Sequence, residues 1–351
     1  MTEMSVPSVE GLLTASDVRL SGESIVHLQL PNGMIEWYPG GHADPWNHVE
    51  TAMALSTCGF IHEAELAYQW LADIQRPDGS WHNYYTADGI EDSKLDSNCI
   101  AYIAAGVWHH WLATGDEEFL ADYWDVVEPA IEFVLDLQTK RGEIIWARHP
   151  EGKPWTYALL TGSSSICHSL QCAISIATEL GKDRDHWVDA RDRLVSVIAN
   201  HPNAFEPKAR WAMDWYYPVL TGAVVGDDAS KMLAKGWDTF VMPGKGVRCV
   251  SDRPWVTAAE TCECAIAHLA VGDRSTALTM LSWVQALRDR DGSYFTGKVF
   301  PELVHFPDNE RSAYTAAAVI LLADALDGSN PTSDLFTSHG NEAARGAFDV
   351  P

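Results

Sequence analysis

The chain is short of positive charge. Its 24 lysines and arginines face 49 aspartates and glutamates, which leaves a net charge of −25 over 351 residues. Nucleic acids and anionic membranes both bind basic surfaces, so neither is an expected partner. Paired cysteines are missing too. Cys58, Cys99, Cys167, Cys172, Cys249, Cys262 and Cys264 are odd in number, form no C-x-x-C and mostly sit in apolar runs. They read as reduced core residues of a cytoplasmic protein. No uninterrupted apolar stretch reaches the length of about 18 residues that a membrane span needs. Residues 1–13 lack the basic and apolar regions of a secretory signal. Thr161-Gly162-Ser163-Ser164-Ser165 has no lysine for a phosphate loop, and no G-x-S-x-G elbow occurs. The nearest metal-ligand set is Cys262, Cys264 and His268. Thiols two residues apart on a helix diverge, so core cysteines are expected there, with no metal and no cofactor.

Long helical segments are what the chain has in plenty, and they come in pairs. One member is apolar nearly all round and rich in Ala, Ser, Thr and Cys: 45–57, 94–112, 163–179, 211–225, 255–270 and 311–326. The other is amphipathic: 61–75, 117–138, 185–200, 228–240 and 273–288. An apolar helix is buried and an amphipathic one lies outside, so the pattern is inner, outer, repeated. Gly59, Gly115, Gly181, Gly226, Gly272 and Gly328 punctuate the pairs at a period of about 50 residues, as in a repeat architecture. The expected fold is an all-α, (α/α)6 toroid of six inner and about six outer helices, with an open helical solenoid as the alternative. Residues 8–19 read as a short helix, and the N-terminal segment is expected to supply the sixth outer helix. Asn32-Gly33 between two strand-like runs predicts an N-terminal β-hairpin. Residues 1–328 read as one catalytic domain and 329–351 as a poorly ordered tail.

The outer-to-inner connections are long and emerge at one end of such a fold. Trp37, Trp46, Trp81, Trp146, Trp155, Trp211, Trp215 and Trp255, of fifteen tryptophans, lie in or beside them or in the opening hairpin. Tyr84, Tyr85, Tyr216, Tyr217, Tyr294 and Phe295 join them. Aromatics at one rim suit a ligand with flat apolar faces, such as a sugar ring, although loops packing on one another would also gather them.

Gln75-Arg76-Pro77-Asp78-Gly79-Ser80-Trp81 resembles the Q-x-x-D-G-S-W repeat of squalene cyclases and their prenyltransferase relatives. Gln138 to Trp146 and Gln285 to Tyr294 are looser copies. The motif is structural and implies a toroid; the D-x-D-D acid of the cyclases is absent. From about Leu30 to Leu326 the chain resembles an actinobacterial prenyltransferase-like group that includes mycobacterial methylmannose polysaccharide hydrolases, which are endo-acting α-mannosidases. Trp37 to His48, Leu160 to Ser165, Ala212 to Pro218 and Thr257 to Thr261 carry that resemblance.

Acids stand at the mouths of the inner helices. Asp44, before Pro45, reads as an N-cap or as a site residue. Glu50 reads as a partner of His48 or as a substrate ligand. Ser93-x-x-Asp96 is a capping box or a functional acid. Asp214, between Trp211 and Trp215, suits sugar hydroxyls. Glu260 follows small and apolar residues, and a carboxyl in apolar surroundings has a raised pKa, as a general acid requires. His42, His48 and His305 read as structural first. The expected function is hydrolysis of an α-linked mannose polymer, plausible also for its methylated form. Glu260 is expected to be the acid and Asp44, held ionised by a helix start, the base. Asp96, Asp214 and Glu50 stand in reserve. Trp46, His48, Glu50, Trp81, Tyr85, Asp96, Asp214, Trp215, Tyr216 and Trp255 are expected to bind the oligosaccharide. Analogy with other α/α-toroid hydrolases favours inversion. A lyase or epimerase would want more basic residues in the loops, and a terpenoid cyclase or prenyltransferase would want its acid motif. A non-catalytic binding protein would use the aromatic groove alone. The sequence leaves the oligomeric state open.

Overall fold

The computed structural model describes residues 4–338. In chain order, α1 (Ala15–Val26) precedes α2 (Pro45–Thr57) and α3 (Ile61–Ile74). Next come α4 (Ser97–Ala101), α5 (Ile103–Thr114), α6 (Glu117–Asp122) and α7 (Trp124–Leu135), then α8 (Leu160–Glu179) and α9 (Asp185–Asn200). They are followed by α10 (Met213–Leu220), α11 (Gly226–Phe240), α12 (Ala258–Ala270), α13 (Arg274–Val284) and α14 (Ala313–Asp327).

The apolar helices are the buried ones. In α2 nearly every residue from His48 to Thr57 is buried, whereas α11 buries only Ala229, Leu233, Gly236 and Phe240, a single stripe at helical spacing. α2 packs on α5, α5 on α8, α8 on α10, α10 on α12, α12 on α14, and α14 returns to α2. Each is backed by a more polar helix: α2 by α3, α5 by α7, α8 by α9, α10 by α11, α12 by α13 and α14 by α1. The N-terminal segment thus supplies the outer helix that the pairing lacked, at Ala15–Val26 rather than 8–19.

One tie is repeated between neighbouring outer helices. The Gln29 side-chain amide donates to the Gly33 carbonyl at 3.2 Å and the Glu63 carbonyl on α3 at 2.8 Å. Gln75 does the same to Gly79 and to Val126 on α7, and Gln138 to Gly142 and to Ala190 on α9. Each turn glycine has positive φ and lies hard against the next outer helix. The last copy ends on α1, where Gly292 abuts Leu20. There Arg288, not Gln285, stands four residues before the glycine, and it holds α1 through Asp17 Oδ1 at 2.8 Å.

The long connections carry short strands: β1 (Tyr84–Thr86), β2 (Gly89–Asp92), β3 (Leu95–Asp96), β4 (Ala147–Arg148), β5 (Val241–Met242), β6 (Gly246–Arg248), β7 (Trp255–Thr257), β8 (Gly297–Val299) and β9 (Val304–His305). The last five form one antiparallel sheet. Bridges tie each connection to the next: Ala43 to Tyr85, β3 to β4, Ala158 to Phe205, Trp211 to Val250. The Ala313 amide then donates to the Trp37 carbonyl at 2.7 Å.

Four expectations change. The all-α assignment needs these small sheets added. The N-terminal hairpin is a turn with one bridge, Gln29 to Ile35, because residues 24–26 belong to α1. The fourth inner helix stops at Leu220 instead of 225, and Gly226 opens α11. Residues 330–336, read as the start of a loose tail, pack on the core. Asn330, Thr332 and Ser333 hydrogen-bond the buried Asp324, and Leu335 is buried. The rest of that tail, 339–351, lies outside the described residues.

A Cβ at Gly79 would lie 2.3 Å from the Pro129 carbonyl oxygen, whereas one at Gly181, also at positive φ, would meet open space. Gly181→Ala should therefore cost only the left-handed backbone penalty, about 1–2 kcal/mol. Gly79→Ala should cost about 2–5 kcal/mol, since overpacking adds to that penalty. Chemical denaturation of the two variants checks this; equal losses would refute the close-packed turn.

Candidate active site

The first wall is the mouth of α2. Asp44 caps the helix by accepting from the Asn47 amide at 3.1 Å, and Pro45 follows at a position where its missing N–H is harmless. The second Asp44 oxygen accepts from Trp37 Nε1 at 2.8 Å and Asn47 Nδ2 at 2.7 Å. Burial outweighs these donors and raises its pKa from the usual carboxylate value. Trp46 and Glu50 are four residues apart and share a helix face. Trp46 Nε1 and the Tyr102 hydroxyl each donate to Glu50 Oε1 at 3.0 Å. The Trp46 ring meets Tyr102 and Tyr217 at centroid distances of 5.9 and 5.8 Å. Burial pushes Glu50 up to about 7, with the charge of Asp44 adding to the rise and the two donors opposing it.

α12 supplies the facing acids. Glu260 and Glu263 are one turn apart. The Tyr216 hydroxyl donates to Glu263. Burial lifts the Glu263 carboxyl well above the carboxylate range, and the charges of Glu50 and Glu260 lift it further. Glu260 hydrogen-bonds the Cys249 thiol, and its charge reaches the Tyr216 and Tyr314 phenols. Its surroundings are therefore polar and acidic, not the apolar pocket suggested by its sequence neighbours. The charges of Glu50 and Glu260 both act on Glu263, so the three carboxyls form one mutually repelling group.

Asp96 lies along the same rim. It caps α4 through the Asn98 amide at 3.1 Å, and Lys94 Nζ is 4.0 Å away. Burial raises its pKa and Lys94 lowers it. The Tyr84 phenol feels both Asp44 and Asp96, which places the two acids around one ring. Asp214 stands apart from the acid group and accepts from the Thr161 hydroxyl at 2.7 Å.

Several expected ligands are structural. Trp81 is 1% exposed and donates to the Leu71 carbonyl. Trp215 is 7% exposed, packs over Gly236 and donates to the Met232 carbonyl. His48 is buried between the Ile35 amide and the Ala67 carbonyl, and burial lowers its pKa to about 4. Tyr85 uses its hydroxyl to accept from the His82 amide. Trp255 lies on β7 with its indole N–H on the Phe306 carbonyl, within the sheet. His42 pairs with Glu91 and His305 stacks on Phe295. Tyr217 is one of the aromatics that the sequence places at the rim, whereas Glu263, Tyr102 and Tyr314 were not foreseen. For Glu263 the Glu260-x-x-Glu263 spacing was a usable signal; for Tyr102 and Tyr314, inside apolar helices, there was none.

Buried Glu50 and half-buried Glu260 and Glu263, walled by tryptophan and tyrosine, are equipment for acid–base work on a sugar. No family model matches. The chain is 47% identical over 332 residues to the MMP endo-(1,4)-3-O-methyl-alpha-D-mannosidase of Mycolicibacterium hassiacum, covering 95% of this chain and 92% of that protein. Among solved structures it is similar to a wild-type glycosidase, with TM-score 0.71 and 16% identity over 93% of this chain and 100% of that one. It is also similar to a D-mannose isomerase, with TM-score 0.64 and 11% identity over 88% and 97%. These two likenesses concern the fold. The protein is a glycoside hydrolase. Within that class, the chain belongs to the family of the M. hassiacum endo-mannosidase.

Among the described residues no helix is long and apolar enough to cross a membrane.

Because folding raises the Glu50 pKa from its ordinary 4.5 to about 7, the folded state binds this proton more tightly than the unfolded one. The wild-type protein thus loses stability as pH rises through that interval. Glu50→Gln keeps an oxygen for Trp46 and Tyr102 but cannot ionise. Its stability relative to wild type should rise between pH 5 and 8 by up to about 3 kcal/mol. A difference independent of pH would show that Glu50 ionises normally.

Proposed function

We propose that this chain hydrolyses an α-linked mannose polymer internally, with a neutral, partly O-methylated oligosaccharide as its substrate. The observation that carries this is the acid group of Glu50, Glu260 and Glu263 beside Trp46, Tyr102 and Tyr217. An O-methyl group removes a donor and adds apolar surface, which suits aromatic walls and few cations. The cycle of contacts from α2 round to α14 supports an (α/α)6 toroid whose inner-helix mouths meet around this group.

Hydrolysis of a glycosidic bond needs one protonated carboxyl at the leaving oxygen and one ionised carboxylate to activate water. We assign Glu260 as the general acid. It stands one turn from Glu263 on α12, at the mouth that shares the acid group with Glu50. Asp44, held by Trp37 and Asn47, is assigned as the base that orients the attacking water, with Asp96 across Tyr84 as the reserve. Trp46 is the platform for a sugar ring.

Glu260→Gln should lower kcat by at least about 10²-fold on methylmannose oligomers while leaving their binding nearly intact. Asp44→Asn should do likewise once its fold is verified by thermal melting, since it also loses part of a cap. Reducing-sugar release and mass analysis of products read the outcome; a Glu260→Gln enzyme with more than a tenth of normal turnover would overturn the assignment.

A further inference from the structure

A second cavity, of about 1070 Å³, opens on the same rim between the connections 139–162 and 201–210 and the flank of α11. It does not include Glu50, Glu260 or Glu263. Lys94 Nζ, 4.0 Å from Asp96, lies over the Trp146 ring, and Trp146 stacks on Tyr157 with centroids 5.5 Å apart and planes 22° apart. Tyr157 lines the cavity, as do Asp214, Phe205 and Trp211. Trp211 is 44% exposed, high for so large an aromatic, and Arg210 lies over its ring. Arg141, Lys208, Lys231 and Lys235 in the wall face Glu143, Glu206, Asp214 and Asp228, so the formal charges balance, and Arg141 is bound to Glu143 and Lys231 to Asp228. The cleft therefore offers aromatic surface, a carboxylate for hydroxyl groups and no excess of either charge. Its volume is at the upper end of the roughly 300–1,000 Å³ that small-ligand sites occupy.

We infer that this cleft is a distal subsite for the same neutral polysaccharide, holding sugar units several residues from the bond that is cut, with Trp211 as its stacking platform. The inference rests on the hydrolase assignment. It explains what an internal cleavage requires, since an endo-acting enzyme must accommodate chain on both sides of the scissile bond. Trp146 near Asp96, Tyr157 stacked on it and Trp211 in the cleft wall offer that chain aromatic surface.

The test is the dependence of kcat/KM on length in a series of α-(1,4)-linked 3-O-methylmannose oligomers, for wild type and Trp211→Ala. With wild type, kcat/KM should rise with length until the cleft is filled. Trp211→Ala should lose roughly 10–100-fold on the longest oligomers, through KM, and little on the shortest one cleaved. Trp211→Phe should recover most of the loss. Unaltered length dependence in Trp211→Ala, or an equal loss at every length, overturns the subsite. If wild type releases product from no oligomer, the substrate assignment fails instead. Calorimetric binding of the longest oligomer then still decides the cleft: weaker binding by Trp211→Ala upholds it, and equal binding rejects it.

Discussion

The close approach of the inner helices is what the rest of the molecule depends on. Their contact faces are made of alanine, serine, threonine, cysteine and glycine. At Gly106 a Cβ would lie 2.4 Å from a methyl group of Val49, so α5 and α2 meet with no room for a larger side chain. Several hydroxyls on these faces are paired within their own helices: Ser56 donates to the Ala52 carbonyl, Ser169 to Ser165 and Thr57 to Met53. Small polar residues paired in this way can line a tight interface at little cost. Helices packed this tightly bring their N-terminal turns within reach of one another, and the acids on α2 and α12 become one group.

That crowding sets the chemistry. Carboxyls on separate surface helices would all ionise and ignore each other in water. Here Glu263 feels both Glu50 and Glu260, and Glu50 feels Asp44. The hydroxyls of Tyr102 and Tyr216 donate into the group and limit how far it is neutralised. The seven cysteines nearby and elsewhere are free and buried, so no disulfide braces the arrangement. It is held by packing and by hydrogen bonds such as those of Trp46 and Tyr102 to Glu50.

Much of the scaffold was legible in the sequence, since an apolar helix and an amphipathic one differ over a dozen residues at a time. α2, α3, α9 and α14 fall within a few residues of where periodicity puts them. The acids at helix mouths were also legible as a set. Individual roles were less so. The positions of the tryptophans suggested an aromatic rim, but not that Trp81 and Trp215 are buried, because a loop tryptophan stacks on a ligand or plugs the floor with the same sequence signature. The motif resemblance put Gln285 at the head of the final copy, by analogy with the earlier ones, where the structure uses Arg288. The substitution makes sense only when Asp17 of α1 is seen beside it.

That final tie joins residues 271 positions apart. Asn330 likewise reaches back to Ser5. The first helix has no such partner until almost the whole polypeptide has left the ribosome. At about 5–20 residues per second, α1 waits roughly 15–55 s, with its apolar stripe of Val18 and Ile25 uncovered by α14. The chain must keep that segment soluble meanwhile, and the acids Glu10, Asp17 and Glu23, along with the excess negative charge carried by the whole sequence, serve that interval as well as the finished enzyme.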